Sequence, residues 1–232
     1  MRLAGIVVVV AATALSAAAC GGMTQTPVAS LQPLPPSTSH ARTPSESDSA
    51  SAPATPPAST TTEPPVDPGT LPQTHTLPTS TDPVFQAGVE HLWQAIVDDD
   101  PAEAQPFFFP QTAYVQVKAI KNAVADYQNR LIGFYDLDIH AAHKLLGADA
   151  KTAKLVSVTV PTNQAQWIAP GVEQNKESYY RVYGSRLTYQ VGGRTKSFGL
   201  FSLISWRGVW YVVHLGPNPR PKAVGTVYQP KG

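Results

Sequence analysis

The sequence predicts an α+β fold, with helices packed on an antiparallel sheet, at the end of a long low-complexity segment. Three observations lead there. All of the aromatic residues, 4 Trp, 9 Tyr and 7 Phe, lie at or beyond Phe85, so a hydrophobic core can form only in the C-terminal part of the 232-residue chain. The apolar residues then change period, from steps of three and four between Phe85 and Leu146 to alternation after Lys154. Two pairs, Gly192-Gly193 and Arg207-Gly208, stand where tight hairpins join the alternating stretches.

The chain opens on an address. Arg2 precedes an apolar run from Leu3 to Leu15, followed by small residues and Cys20, the layout of a secretory signal peptide over residues 1–19. The run is too short for a membrane-spanning helix. Ala17-Ala18-Ala19-Cys20 resembles a bacterial lipobox, which implies a diacylglycerol on the Cys20 sulfur and cleavage before it. The same residues also fit an ordinary A-x-A cleavage site at Ala17 and Ala19. Cys20 is the only cysteine, so no disulfide can form within the chain. Each buried acyl methylene contributes about 0.8 kcal/mol, so two or three chains hold a protein on a membrane without spanning it. The expectation is an exported protein, lipid-anchored to the outer face of the cell membrane.

Residues 20–83 read as a disordered tether. From residue 21 to 83 there are 14 Pro and 22 Ser or Thr, with six charges and no Lys, which leaves little apolar surface to bury. Coil statistics give such a chain a span of roughly 40 to 50 Å. Its Ser and Thr clusters, such as Ser59 to Thr62, are candidate acceptors for O-linked sugars.

The domain is expected over residues 84–217, with 218–232 as a tail. Thr81-Asp82-Pro83 offers an N-cap and a proline at the first helical position. Phe85, Val89, Leu92, Trp93 and Ile96 then form one helical face. Asp98-Asp99-Asp100 with Pro101 closes that helix; the acidic run reads as a turn in which Asp99 or Asp100 caps the next helix, with cation ligation as the alternative. Residues 113–120 fit a strand or a helix equally. Asn122 to Gly147 reads as one long or two consecutive helices, with Gly147 at the C-cap. Lys154 to Val160, Ser178 to Tyr183, Leu187 to Val191, Ser197 to Trp206 and Val209 to Leu215 supply a meander of at least four strands.

Hairpin register assigns the faces. With a two-residue loop at Arg207-Gly208, Trp206 faces Val209, Ile204 faces Tyr211 and Ser202 faces Val213 on one surface. The other surface pairs Ser205 with Trp210, Leu203 with Val212 and Phe201 with His214. The same count at Gly192-Gly193 adds Val191, Tyr189 and Leu187 to the first surface and Gln190, Thr188 and Arg186 to the second. The first is apolar and is expected against the helices. The second is mixed, and suits a pocket wall, a subunit interface or a partly solvated sheet.

The helix ending in the Asp-rich turn (Leu92 to Pro101), the Phe-rich segment after it, and a terminal sheet closing on Trp210-Tyr211-Val212-Val213 resemble the nuclear transport factor 2-like, cystatin-like cone, whose small members include SnoaL-type cyclases. The stretch Phe198 to Gly216 also resembles an uncharacterised actinobacterial lipoprotein family. The resemblance implies helices on a curved antiparallel sheet. It does not select an activity, since cyclases, isomerases, dehydratases and inert accessory domains share that fold.

Candidate chemistry is sparse. There is no nucleophile elbow, phosphate loop or dinucleotide fingerprint, and no cofactor is expected. Asp136, His140 and His143, with Asp138 nearby, would share adjoining helix faces and come closest to a zinc set. Their spacing matches no zinc motif, so they read as a solvent-facing surface and no metal is expected. On the mixed face Phe201, Leu203, Trp210 and His214 are the candidate ligand-binding residues, with His214 a weak candidate base and a nearby carboxylate or Arg186 its helper. Residues 84–150 carry nine acidic against four basic side chains, and residues 151–232 two against eleven. The basic half suits anionic envelope components or simply complements the acidic half. Export argues against nucleic acid as a partner. The expected role is a tethered, non-catalytic domain binding a small ligand or an envelope protein; a small cyclase- or isomerase-like enzyme and a structural homodimer are the alternatives.

Metabolic palmitate labelling should mark the wild-type chain, lose the mark in Cys20→Ala, and show an uncleaved precursor under globomycin. An unlabelled wild type, or equal labelling of Cys20→Ala, would remove the anchor.

Overall fold

A computed structural model describes residues 66–230; the expected signal peptide, Cys20 and the greater part of the expected tether lie outside the described residues. The described part is α+β, with helices on one antiparallel sheet. Among the described residues no helix is long and apolar enough to cross a membrane.

Helix α1 spans Pro83–Asp98 and starts as its sequence dictates: Asp82 Oδ1 accepts from Val84 N at 2.9 Å and Phe85 N at 3.0 Å, with Pro83 in the first turn. Its buried face includes Phe85, Val89, Leu92, Trp93 and Ile96. Asp99 ends the helix in the left-handed conformation (φ 60°), and Asp100 Oδ1 caps the adjoining 3-10 turn, Pro101–Phe107, through Ala102 N at 3.0 Å. Gly88 lets that turn come close, since a Cβ there would sit 2.5 Å from the Phe107 ring.

The undecided stretch is helical as far as Val117, with α2 spanning Gln111–Val117, and Lys118 then bridges to Asn175. The long helical region is interrupted. Helix α3, Ala123–Asp126, runs into a π turn, Tyr127–Ile132, and then into α4, Gly133–Leu146, which stops at Gly147. Strands β1 (Lys154–Thr159) and β2 (Gln166–Ile168) pair with successive parts of one edge of β3 (Tyr179–Val191); β4 (Arg194–Trp206) and β5 (Val209–His214) complete the order. Both expected hairpins form, and all four turn residues have positive φ, including Arg207 at 51°. The Phe-rich segment covers the last edge. Phe109 N donates to the Val212 carbonyl at 3.0 Å and the buried Tyr135 hydroxyl donates to the same oxygen at 2.8 Å.

The register expectation holds from Trp206↔Val209 to Leu203↔Val212 and then fails. A bulge between Ser202 and Leu203 places His214 opposite Ser202, not Phe201. The face expectation fails with it, because β4 is buried at every position from Ser202 to Trp206. Leu203 and Trp210, expected on a mixed face that suits a pocket wall, a subunit interface or a partly solvated sheet, are fully buried. A strand covered on both sides loses its alternation.

Two boundaries also move. Residues 66–82, assigned to the tether by composition, lie against the β4–β5 hairpin. Trp206 Nε1 donates to the Pro68 carbonyl at 2.8 Å, Gln73 Nε2 to the Ser205 carbonyl at 2.9 Å, and Gln73 Oε1 accepts from Arg207 N at 2.7 Å. His75 stacks on Tyr180 with ring centroids 5.4 Å apart. Prolines leave carbonyl acceptors but remove donors, so this low-complexity segment binds through its carbonyls and a glutamine. The expected tail is likewise part of the domain. Tyr228 bridges to Gly199, and the buried Asp138 of α4 accepts from Gly216 N (2.8 Å), Thr226 N (2.9 Å) and both Arg220 Nη atoms (2.7 and 2.6 Å).

Asp138 and Arg220 are 1% and 5% exposed, so removing one strands a buried charge. Asp138→Ala should lower the unfolding free energy by about 3 to 5 kcal/mol in urea titrations. Exposed Asp149→Ala should change it by no more than about 0.5 kcal/mol. Equal, small effects would show that the tail is not clamped by this pair.

Candidate functional site

A cavity of about 450 Å³, within the range of small-molecule sites, opens between the helices and the sheet. Its helical wall comes from α2 and the π turn. Tyr114 and Lys118 are four residues apart at the end of α2, as are Asp126 and Arg130 across the start of the π turn. The π turn carries one extra residue into the ladder, and both Arg130 and Leu131 line the cavity from it. The sheet wall includes Arg181, Phe201, Ser202, Ile204 and His214.

A loop closes the rim. Ala119 N donates to the Gln174 carbonyl at 2.8 Å and Lys176 N to the Val117 carbonyl at 2.7 Å, so the end of α2 pairs with the segment before β3. Asn175, 2% exposed, shapes that segment: its amide donates to the Ala169 and Glu177 carbonyls at 3.0 and 2.9 Å and accepts from Glu173 N at 2.9 Å. Glu173 is thereby held at the cavity.

The charges are arranged in pairs. Arg130 grips Asp126 through Nε (2.7 Å) and Nη2 (2.6 Å), while the Tyr114 hydroxyl donates to the same carboxylate. The Arg130 hydrogen bond holds the Asp126 carboxyl below its usual range, and burial first, then Asp126, pushes the Tyr114 phenol up. Arg181 forms an ion pair with Glu173, whose other oxygen accepts from Tyr179 at 2.7 Å. Lys118 has neither carboxylate. Its Nζ donates to the Glu173 main-chain oxygen at 3.3 Å and lies 5.7 Å from the Tyr179 ring centroid. Burial, then the Arg130 charge, brings its ammonium down to about 8.

His214 sits beside Ser202, Nδ1 to Oγ 3.1 Å, and its Nε2 is sealed from solvent without a protein partner. Burial, reinforced by Arg130, Lys118 and Arg220, pushes its imidazole down to about 3. The ring is therefore neutral at pH 7 and a weak base.

Of the residues singled out in the sequence, Phe201 and His214 meet in this cavity; Leu203 and Trp210 belong to the core instead. Arg186 is elsewhere, donating to Ser197 Oγ at 2.9 Å and the Pro230 carbonyl at 3.1 Å beside a separate hollow. The Asp136 to His143 group is dispersed. His140 pairs with Asp99 at 2.6 Å, His143 meets the Ile96 carbonyl at the end of α1, and Asp138 turns inward to Arg220. Among the described residues no three His, Cys, Asp or Glu side chains converge as a metal site. Tyr114, Lys118, Asp126, Arg130, Glu173 and Arg181 were not singled out; the four-residue spacing of the first four was the available signal. Compared with protein-family models, curated proteins and solved structures, the chain matches none.

The His214 shift has a sign that can be measured. Its folded value lies below the ordinary 6.5, so the unfolded chain binds the extra proton and stability falls as pH drops from about 6.5 toward 3. His214→Gln should flatten that decline by on the order of a few kcal/mol relative to wild type. Parallel curves for the two proteins would contradict the burial of the ring.

Proposed function

We propose that this chain is a cell-envelope lipoprotein, exported by residues 1–19 and held on the outer face of the membrane through lipid on Cys20. Its domain, read as a nuclear transport factor 2-like cone, binds a small ligand without transforming it. The observation that carries the ligand reading is the cavity of about 450 Å³, in whose wall Asp126 is fixed by Arg130 and Glu173 by Arg181, with Leu131, Ile204 and Phe201 also lining it. Such a wall is pre-organised, which lowers the ordering cost of binding. The tether supplies reach from the membrane.

The weak basicity of His214 favours binding over acid–base chemistry, because a base near pKa 3 takes up little proton at neutral pH. An envelope-protein partner or a homodimer would instead use the mixed sheet face as an interface, and native mass spectrometry separates these readings. The chain from residue 20 carrying Cys20→Ser, purified after secretion, should show a one-to-one small-molecule adduct. Leu131→Phe, which fills part of the cavity, should reduce it. A bare monomer would contradict the ligand reading, and a stable dimer would favour the structural one.

A further inference from the structure

The pairing of charges and donors in the cavity narrows the ligand. The carboxylates of Asp126 and Glu173 are each taken up by an arginine and a tyrosine. Three cationic side chains, Lys118, Arg130 and Arg181, line the same space, so one positive charge is left without an opposite charge. It is that of Lys118, which is absent from every ion pair among the described residues. Donors are also in surplus. Lys118 Nζ makes a single 3.3 Å bond to a carbonyl, Arg130 Nη1 makes none, and Arg181 Nε is buried without an acceptor. A ligand that supplies oxygen acceptors and one negative charge meets the first two, whereas a cationic ligand would add to the repulsion between Lys118 and Arg130. Beside these groups Leu131, Ile204 and Phe201 present apolar surface, which suits a hydrophobic body.

We propose that the cavity binds an organic monocarboxylate, its carboxylate against Lys118 and Arg130 and its apolar body against Leu131, Ile204 and Phe201. This rests on the reading of the cavity as a ligand site and adds the charge and shape of the ligand. Two sources share the chemistry, a fatty acid released from lipid and a compact soluble acid.

Calorimetric or NMR titration of the chain from residue 20 carrying Cys20→Ser tests it with two matched pairs: decanoate against decan-1-ol, and 2-naphthoate against 2-naphthamide. The carboxylate of at least one pair should bind about tenfold or more tightly than its neutral partner, as one charge-assisted hydrogen-bonded contact provides. The pair with the tighter acid identifies the source. Lys118→Met should erase the preference and Lys118→Arg should keep it, with thermal unfolding confirming that each variant folds. Equal binding of acid and neutral partner overturns the charge inference while leaving the ligand site standing. Failure of all four probes to bind, in a protein that also carries no native adduct, overturns both. Should Lys118→Met not fold, the wild-type pairs and Lys118→Arg still decide the outcome.

Discussion

Charge taken out of water must be met by opposite charge or by hydrogen bonds, and the packing of this domain is organised around three places where that happens. Asp138 and Arg220 join α4 to the C-terminal segment, Asp126 and Arg130 join the helical wall to itself, and Glu173 and Arg181 join the rim loop to β3. The first is nearly closed to solvent and is the kind of pair whose rupture costs several kcal/mol. The second is more exposed, so its worth lies in geometry: it fixes the Tyr114 hydroxyl and the Arg130 fork at the cavity. Once these pairs are made, Lys118 is, among the described residues, the cation of the cavity lining without a carboxylate, and the character of the cavity derives from that remainder.

Small departures from regular structure place the groups. The π turn carries Arg130 and Leu131 to the cavity, and the bulge at Ser202 brings His214 beside the Ser202 hydroxyl. The buried amide of Asn175 fixes the loop that holds Glu173. Each device leaves the neighbouring elements intact and redirects one or two side chains, so a plain scaffold acquires a specific interior.

Much of the scaffold was legible in the sequence because it rests on local chemistry. The Asp82-Pro83 start, the Phe85 to Ile96 stripe, the Gly147 stop and both hairpins obey propensities that act over a few residues. What was not legible depends on distant partners. Phe201 opposite His214 comes from counting residues outward from the turn, and a single bulge cancels the count. Leu203 and Trp210 look like a wall only until the sheet is covered on its second side. The low-complexity residues 66–82 lack a core-forming pattern, yet Trp206 and Arg207 of the β4–β5 hairpin donate to the Pro68 and Pro72 carbonyls, and Gln73 donates back to the Ser205 carbonyl. In the candidate site, His214 and Phe201 were visible as unusual residues on a strand. The Lys118 environment was not, because its depressed basicity comes from burial and from Arg130 in a different element.

The central claim is that Lys118 is a desolvated ammonium facing another cation, and its own titration tests this most directly. With lysine side chains labelled with ¹³C at Cε, and the resonance assigned by Lys118→Arg, the structure predicts a midpoint near 8. A midpoint at the ordinary 10.5 would contradict the account, since it would mean that Lys118 is solvated or already paired and that the cavity has no surplus charge to offer.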